Sequence, residues 1–258
     1  MFSNFLQPVA IIDSGIGGLK LLKELSKIYP AENYLYYADY SYMPYGNKSK
    51  ESIKKRLTYI INLLIEKYKI KMVVLACNTA TLSSINYLRK RFKIQIYGVS
   101  PKIYGQNCLI LSTKLTAKLL DENLNSTFIK ENDKRKISGY RIVGISSLAS
   151  YIENNFYDKN KIIRKLKSIG KKYHFDEHKK IILACTHYEY IAEYFKEAFP
   201  NKRFISPISK TINEIKAHQV LKTKSEKTIG NIFMISSNNY KSTIDKLYFA
   251  YKKLQHKI

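Results

Sequence analysis

Two segments of this chain are variants of one unit. MVVLACNTA (72–80) and IILACTHYE (181–189) each run from an apolar stretch into Ala-Cys and then into two polar residues, with the cysteines 108 positions apart. The absence of any polar residue between Met72 and Cys77 is the pattern of a parallel strand covered on both faces. Asn78-Thr79 and Thr186-His187 suit the opening of a helix, and helical spacing follows each pair: Leu82, Ile85 and Leu88 in one case, Ile191, Tyr194, Phe195 and Ala198 before Pro200 in the other. A duplicated strand, cysteine and helix predicts two similar α/β halves. Ligands of open parallel sheets bind beyond the carboxyl ends of the strands, so each half is expected to present its cysteine at the rim of a shared cleft.

The remaining sequence fits the same alternation of short apolar runs and helical periods. PVAIID reads as a strand, SGIGG as a turn, and Leu19, Leu22, Leu25 and Ile28 as a helix stopped by Pro30. YLYYAD is the next strand. The loop SYMPYGNKS then leads into a long helix with Ile53, Leu57, Ile60, Ile61, Leu64, Ile65 and Tyr68 as its buried stripe. The polar stretch 121–136 reads as a surface connection. The expected fold is α/β, with two pseudo-symmetric parallel-sheet domains and the active site between them: 1–96, joined by a C-terminal return over 209–258, and 97–208.

Composition limits the function classes. The 258 residues are 45% hydrophobic and 25% charged, a globular profile, and the apolar runs are far short of the roughly 18 residues a membrane helix requires. The opening MFSNFLQPVAIIDSG has no basic region ahead of its apolar segment, so it does not read as a secretory signal, and a cytoplasmic protein with no membrane partner is expected. Lys and Arg number 45 against 20 Asp and Glu, a net charge of +25, yet only seven of the 45 are Arg. Base-reading proteins favour the Arg fork, whereas scattered Lys gives only a salt-dependent pull on phosphates. The charge therefore reads as a solvated basic surface, and any nucleic-acid contact would be nonspecific. Three cysteines, Cys77, Cys108 and Cys185, are too few and too far apart for a disulfide framework.

A thiol at a helix N-terminus meets unpaired N–H groups and the positive end of the helix dipole, both of which favour the thiolate. One such cysteine suggests covalent catalysis. Two facing each other across a cleft suggest proton transfer on opposite faces of one carbon, which inverts an amino acid at Cα. The residues after each cysteine supply donors for the carboxylate on which charge develops as the proton leaves. Cys108, inside the apolar run NCLILS, reads as an inert core residue. Cys185-Thr-His187 lacks the further ligands of a metal site, and the Gly-rich turn has neither G-x-G-x-x-G nor GK[ST], so no metal or nucleotide is expected.

The strings IIDSGIGGL, MPYGNKS, VLACNTA and LACTHYE, in that order over roughly residues 8 to 200, resemble the signature blocks of the glutamate racemase family. That resemblance implies glutamate bound between two α/β domains, no cofactor, and D-glutamate supplied for peptidoglycan. It implies substrate contacts from Asp13, Ser14, Tyr45, Gly46, Asn78, Thr79, Thr186 and His187, with Thr113 and Thr116 matching a weaker Thr-x-x-Thr block. It also implies that Cys77 works on the D-enantiomer with help from Asp13, and Cys185 on the L-enantiomer with help from His187. Glu153, in SLASYIEN, falls where the family has a glutamate near the second cysteine, although the usual Cys-Pro and Pro-Leu features around it are absent. A homodimer is left open. Two rival readings stand beside this one: an aspartate or hydantoin racemase, and a basic module that binds nucleic acid or protein.

Overall fold

Strand and helix alternate along the chain twice over. In the computed structural model, which describes residues 7–101, 108–125, 140–145, 147–219, 221 and 229–255, the first round is β1 (Val9–Asp13), α1 (Leu19–Ile28), β2 (Tyr34–Ala38), α2 (Lys50–Tyr68), β3 (Met72–Leu75), α3 (Asn78–Arg91) and β4 (Gln95–Gly98). The second is β5 (Cys108–Ser112), α4 (Lys114–Asn125), β6 (Tyr140–Gly144), α5 (Leu148–Asn155), α6 (Lys159–Lys172), β7 (Lys180–Ala184), α7 (Thr186–Tyr190), α8 (Ala192–Ala198) and β8 (Arg203–Ile205). The chain then returns through α9 (Ile208–Ala217), β9 (Ile232–Ser236) and α10 (Lys241–Gln255).

The sheets have the orders β4-β3-β1-β2-β9 and β6-β5-β7-β8, with every pairing parallel. Read from the other edge, the second order is β8-β7-β5-β6, which matches β4-β3-β1-β2 strand for strand. The duplication seen in the cysteine units therefore extends through four strands, and β9 is an addition to the first sheet alone. In each copy the strand order reverses direction between the first and third strands, β1 and β3 or β5 and β7. A crevice opens at such a switch point beyond the carboxyl ends; Asp13 ends β1, and Cys77, Thr113 and Cys185 follow the ends of β3, β5 and β7.

Burial explains the strand sequences. Every residue of β1, β2, β3 and β5 is buried, which accounts for their unbroken apolar runs. One apolar cluster runs from α1 and the inner strands of the first sheet to α5, α6 and β7 of the second half, so the two halves share a core. A second cluster lies beneath α2 and α3, and a third, smaller one includes Cys108 and Ile110. Among the described residues no helix is long and apolar enough to cross a membrane.

Three local expectations change. The stripe of α2 is buried at Ile53, Leu57, Ile60, Ile61 and Leu64, but Ile65 and Tyr68 are only half-buried because the helix is leaving the sheet as it reaches its left-handed end at Lys69. The helix after Cys185 is interrupted at Ile191, whose φ of −106° and ψ of 23° separate α7 from α8. The connection expected over 121–136 starts late: 121–125 complete α4, and the rest lies outside the described residues.

Candidate active site

The carboxyl ends of the two sheets meet around a narrow cavity of about 20 Å³. Cys77 enters it from the link between β3 and α3, and Cys185 from the link between β7 and α7, each at the N-cap of the helix that follows. Ser14, Tyr45, Gly46, Asn78, Thr79, Thr113, Thr186 and His187 also line it, as do Pro44 and Ala149, which motif reading did not single out. Asp13, Thr116 and Glu153 stand behind the lining and are bonded to it. Cys108 is wholly buried in β5 and is not part of this wall.

Asp13 is wholly buried; its Oδ1 accepts from the Gly15 N–H and its Oδ2 from the Thr186 hydroxyl, both at 3.0 Å. Burial pushes its carboxyl up from the ordinary value, and the nearby charge of His187 and these two hydrogen bonds oppose that rise. Thr79 Oγ1 lies 2.8 Å from Thr116 Oγ1 and 3.0 Å from Thr113 Oγ1, so three hydroxyls form a cluster that joins the first half to the second. Gly46 is required beside it, since a Cβ there would come within 2.7 Å of Thr113 Cβ.

The first half holds Tyr45 through a relay that sequence reasoning missed. The Tyr45 hydroxyl donates to Asp39 Oδ2 at 2.8 Å, and the Arg56 guanidinium grips the same buried carboxylate through two bonds of 2.8 and 2.5 Å. The available signal was an Arg in a helix of a chain that mostly uses Lys, because planar two-point recognition of a carboxylate is what Arg does and Lys does not.

Behind Cys185 the structure brings His187 and Glu153 together. His187 is hydrogen-bonded to the Cys185 side chain, and its Nε2 lies 2.8 Å from Glu153 Oε2. Burial alone would lower the His187 pKa, but the bonds to Cys185 and Glu153 and their charges raise it to about 10. For Glu153 burial works upward and is overcome by the His187 hydrogen bond and charge, by Lys246 and by the Ile16 N–H, leaving it at about 2. The pair is therefore imidazolium and carboxylate. Cys77 behaves otherwise. Burial and the Asp13 charge push its thiol up, and the N–H groups of Ala80 and Thr79 only partly offset this, so the helix N-terminus alone does not make it a thiolate. That corrects the expectation drawn from the helix dipole.

Asn78 is the most informative lining residue. It is 1% exposed, and neither its Nδ2 nor its Oδ1 has a partner. A buried amide left with both a donor and an acceptor unmet is costly, and it suits a ligand that carries an acceptor and a donor close together. Among the described residues no three His, Cys, Asp or Glu side chains are grouped to hold a metal ion.

No family model matches the chain. The glutamate racemase of Clostridium botulinum (strain Kyoto / Type A2) is 32% identical to it over 255 residues, which cover 94% of this chain and 96% of the relative. The chain belongs to the glutamate racemase family. Glutamate racemases are isomerases, so the site is that of an enzyme rather than of a basic binding module. The fold agrees with solved glutamate racemases. The RacE1 isoform from Bacillus anthracis has a TM-score of 0.77 at 20% identity, over 98% of this chain and 95% of that one. The Escherichia coli enzyme, solved with L-glutamate and the activator UDP-MurNAc-ala, has a TM-score of 0.75 at 23% identity, over 95% and 96%.

Proposed function

We propose that this glutamate racemase works by two-base proton transfer between Cys77 and Cys185. The observation that carries this reading is that both thiols line one cavity, each at the end of the third strand of its own four-strand repeat. Starting from L-glutamate, the Cys185 thiolate takes the α-proton while the Cys77 thiol gives its proton to the opposite face of Cα. From D-glutamate the roles reverse. His187 as imidazolium stabilises the Cys185 thiolate and Glu153 holds His187, while Asp13 serves Cys77. The raised Cys77 thiol suits the donor role in the first direction.

Substrate binding follows from the donor set. Asn78 Nδ2 donates to a substrate carboxylate and Oδ1 accepts from the ammonium, which meets both of its open valences. The hydroxyls of Ser14, Thr79 and Thr113, with Thr116 behind them, the Thr186 backbone N–H at the start of α7 and the Tyr45–Gly46 turn complete the carboxylate contacts. No cofactor enters this scheme. We take 1–96 with 209–258, and 97–208, as the two domains, a division supported by the pairing of β9 with β2, except that β4 (Gln95–Gly98) pairs with β3 and carries the first domain on to Gly98. The product D-glutamate serves peptidoglycan synthesis in the cytoplasm.

Solvent-deuterium incorporation tests the mechanism. In D2O, purified protein without added cofactor should place deuterium at Cα of the enantiomer formed from either L- or D-glutamate, and Cys77→Ser and Cys185→Ser should each abolish racemisation. Near-normal turnover by either variant would remove the two-base scheme. Growth of a D-glutamate-requiring bacterium on the wild-type gene, and not on either variant, tests the cellular role.

A further inference from the structure

Glu153 is 3% exposed and is met by four donors. Its Oε2 takes the Ile16 N–H at 3.0 Å and lies 2.8 Å from His187 Nε2; its Oε1 takes the Tyr40 hydroxyl at 2.7 Å and the Lys246 ammonium at 2.7 Å. Three of these come from elements already attached to the cavity. The fourth comes from α10, the C-terminal helix, which supplies no lining residue. Lys246 Nζ also lies 5.3 Å from the centre of the Tyr40 ring and 5.8 Å from that of Phe156, so two aromatic faces hold a cation that is only 30% exposed.

The charges alternate along this line. Lys246 is positive, Glu153 negative, His187 positive, and the Cys185 thiolate of the working state negative. The set is neutral only with Lys246 included. Without it, a closed and nearly dry group would hold one excess negative charge, and each of its acids would become harder to ionise.

We propose that Lys246 is a positioning residue for racemisation: from the C-terminal helix it fixes Glu153 and supplies the positive charge that lets Cys185 ionise beside His187. This rests on the assignment of Cys185 as the base for L-glutamate. The other titratable groups that face the set are Asp13 from the end of β1, Tyr36 from β2, Tyr40 from the loop after β2, Cys77 before α3, and Tyr188 and Tyr190 from α7, each of which senses Glu153, His187 or Cys185. Asp13 is negative when ionised, so it adds to the need for a cation. The tyrosines and the Cys77 thiol stay neutral, because burial pushes all of them up.

The role predicts a shift in pH dependence as well as a loss of rate. A merely structural tie would lower kcat/KM evenly at all pH values. Loss of the charge instead moves the acid limb of kcat/KM upward, because the anionic working state of the set is no longer offset by a cation. Lys246→Met should move that limb up by about one unit, which is roughly a tenfold loss on the limb itself, with recovery toward wild type on the alkaline side. The equilibrium constant ties the two directions together, so L- and D-glutamate should give the same limb. Lys246→Arg should restore it. Lys253→Met is the control for helix docking, since Lys253 Nζ donates to the Phe156 carbonyl at 3.0 Å and touches no member of the charge line; it should leave the limb in place. An unshifted limb in a folded Lys246→Met protein, or a shift of equal size in Lys253→Met, would overturn the proposal. Full racemisation by Cys185→Ser would instead overturn the mechanism on which it rests, so the two failures are distinguishable.

Discussion

The hydroxyl of Thr186 donates a 3.0 Å hydrogen bond to Asp13 Oδ2, which ties the residue after the second cysteine to the strand that runs beside the first. Each half of the reaction centre thus takes part of its support from the other half. Thr186→Val should leave Asp13 with only the Gly15 N–H and push its carboxyl further up. The expected cost is about 1–3 kcal/mol for a buried acceptor losing a donor, with a fall in racemisation in both directions. Thermal unfolding and steady-state assays of the same preparation check it, and unchanged stability would mean that the Thr186–Asp13 bond contributes nothing to the fold.

The Glu153–His187 pair sets a pH window for stability. His187 is raised from 6.5 to about 10, so its contribution is complete below pH 6.5 and is lost as pH rises toward 10. Glu153 is lowered from 4.5 to about 2, so its contribution is complete above pH 4.5 and is lost as pH falls toward 2. The stability difference between wild type and Glu153→Gln should therefore be greatest between pH 4.5 and 6.5 and shrink on both sides. Urea unfolding at stepped pH gives the curve, and a difference that does not vary with pH would contradict the ion pair.

Gly17 lies against the second cysteine's helix. A Cβ there would sit 2.5 Å from Thr186 Oγ1 and 2.7 Å from the His187 backbone nitrogen. The hydroxyl can rotate away but the backbone cannot, so Gly17→Ala must displace the start of α7. We expect about 1–3 kcal/mol of destabilisation and a kcat loss larger than any change in KM, measured by denaturant titration together with initial rates.

Asp13 and His187 should be separable by isotope effects. Asp13→Asn should enlarge the α-deuterium effect more with D-glutamate, and His187→Asn more with L-glutamate, as abstraction by the impaired thiol becomes limiting. Equal changes in both directions would reduce the two residues to substrate positioning.

The duplicated Ala-Cys units made the α/β class and the paired cysteines legible in the sequence, because a strand buried on both faces must be apolar throughout and a helix start must be polar. The depth of the repeat was less legible. Four strands correspond in order, yet the outer ones, such as Gln95–Gly98 and Arg203–Ile205, are short and share no pattern. The supports of the site were hidden for another reason. Asp39, Arg56 and Lys246 reach it from elements whose own periodicity concerns only their packing, and a charged residue on a helix looks the same in sequence whether it faces water or a buried carboxylate. The raised Cys77 thiol was also beyond reach, since burial depends on what the other half of the chain places over it.

The pairing of β9 with β2 sets an order of events at the ribosome. Once Ile205 has emerged, every strand of the second sheet has been made, whereas the first sheet still lacks Ile232–Ser236 although its other four strands were made long before. Until then Tyr34–Ala38 is an open edge, apolar and five residues long, of the kind that recruits strands from other chains. Among the described strands the one made last is therefore the closing piece. A chain released before residue 236 would carry all the cysteines and still expose the edge that leads to aggregation.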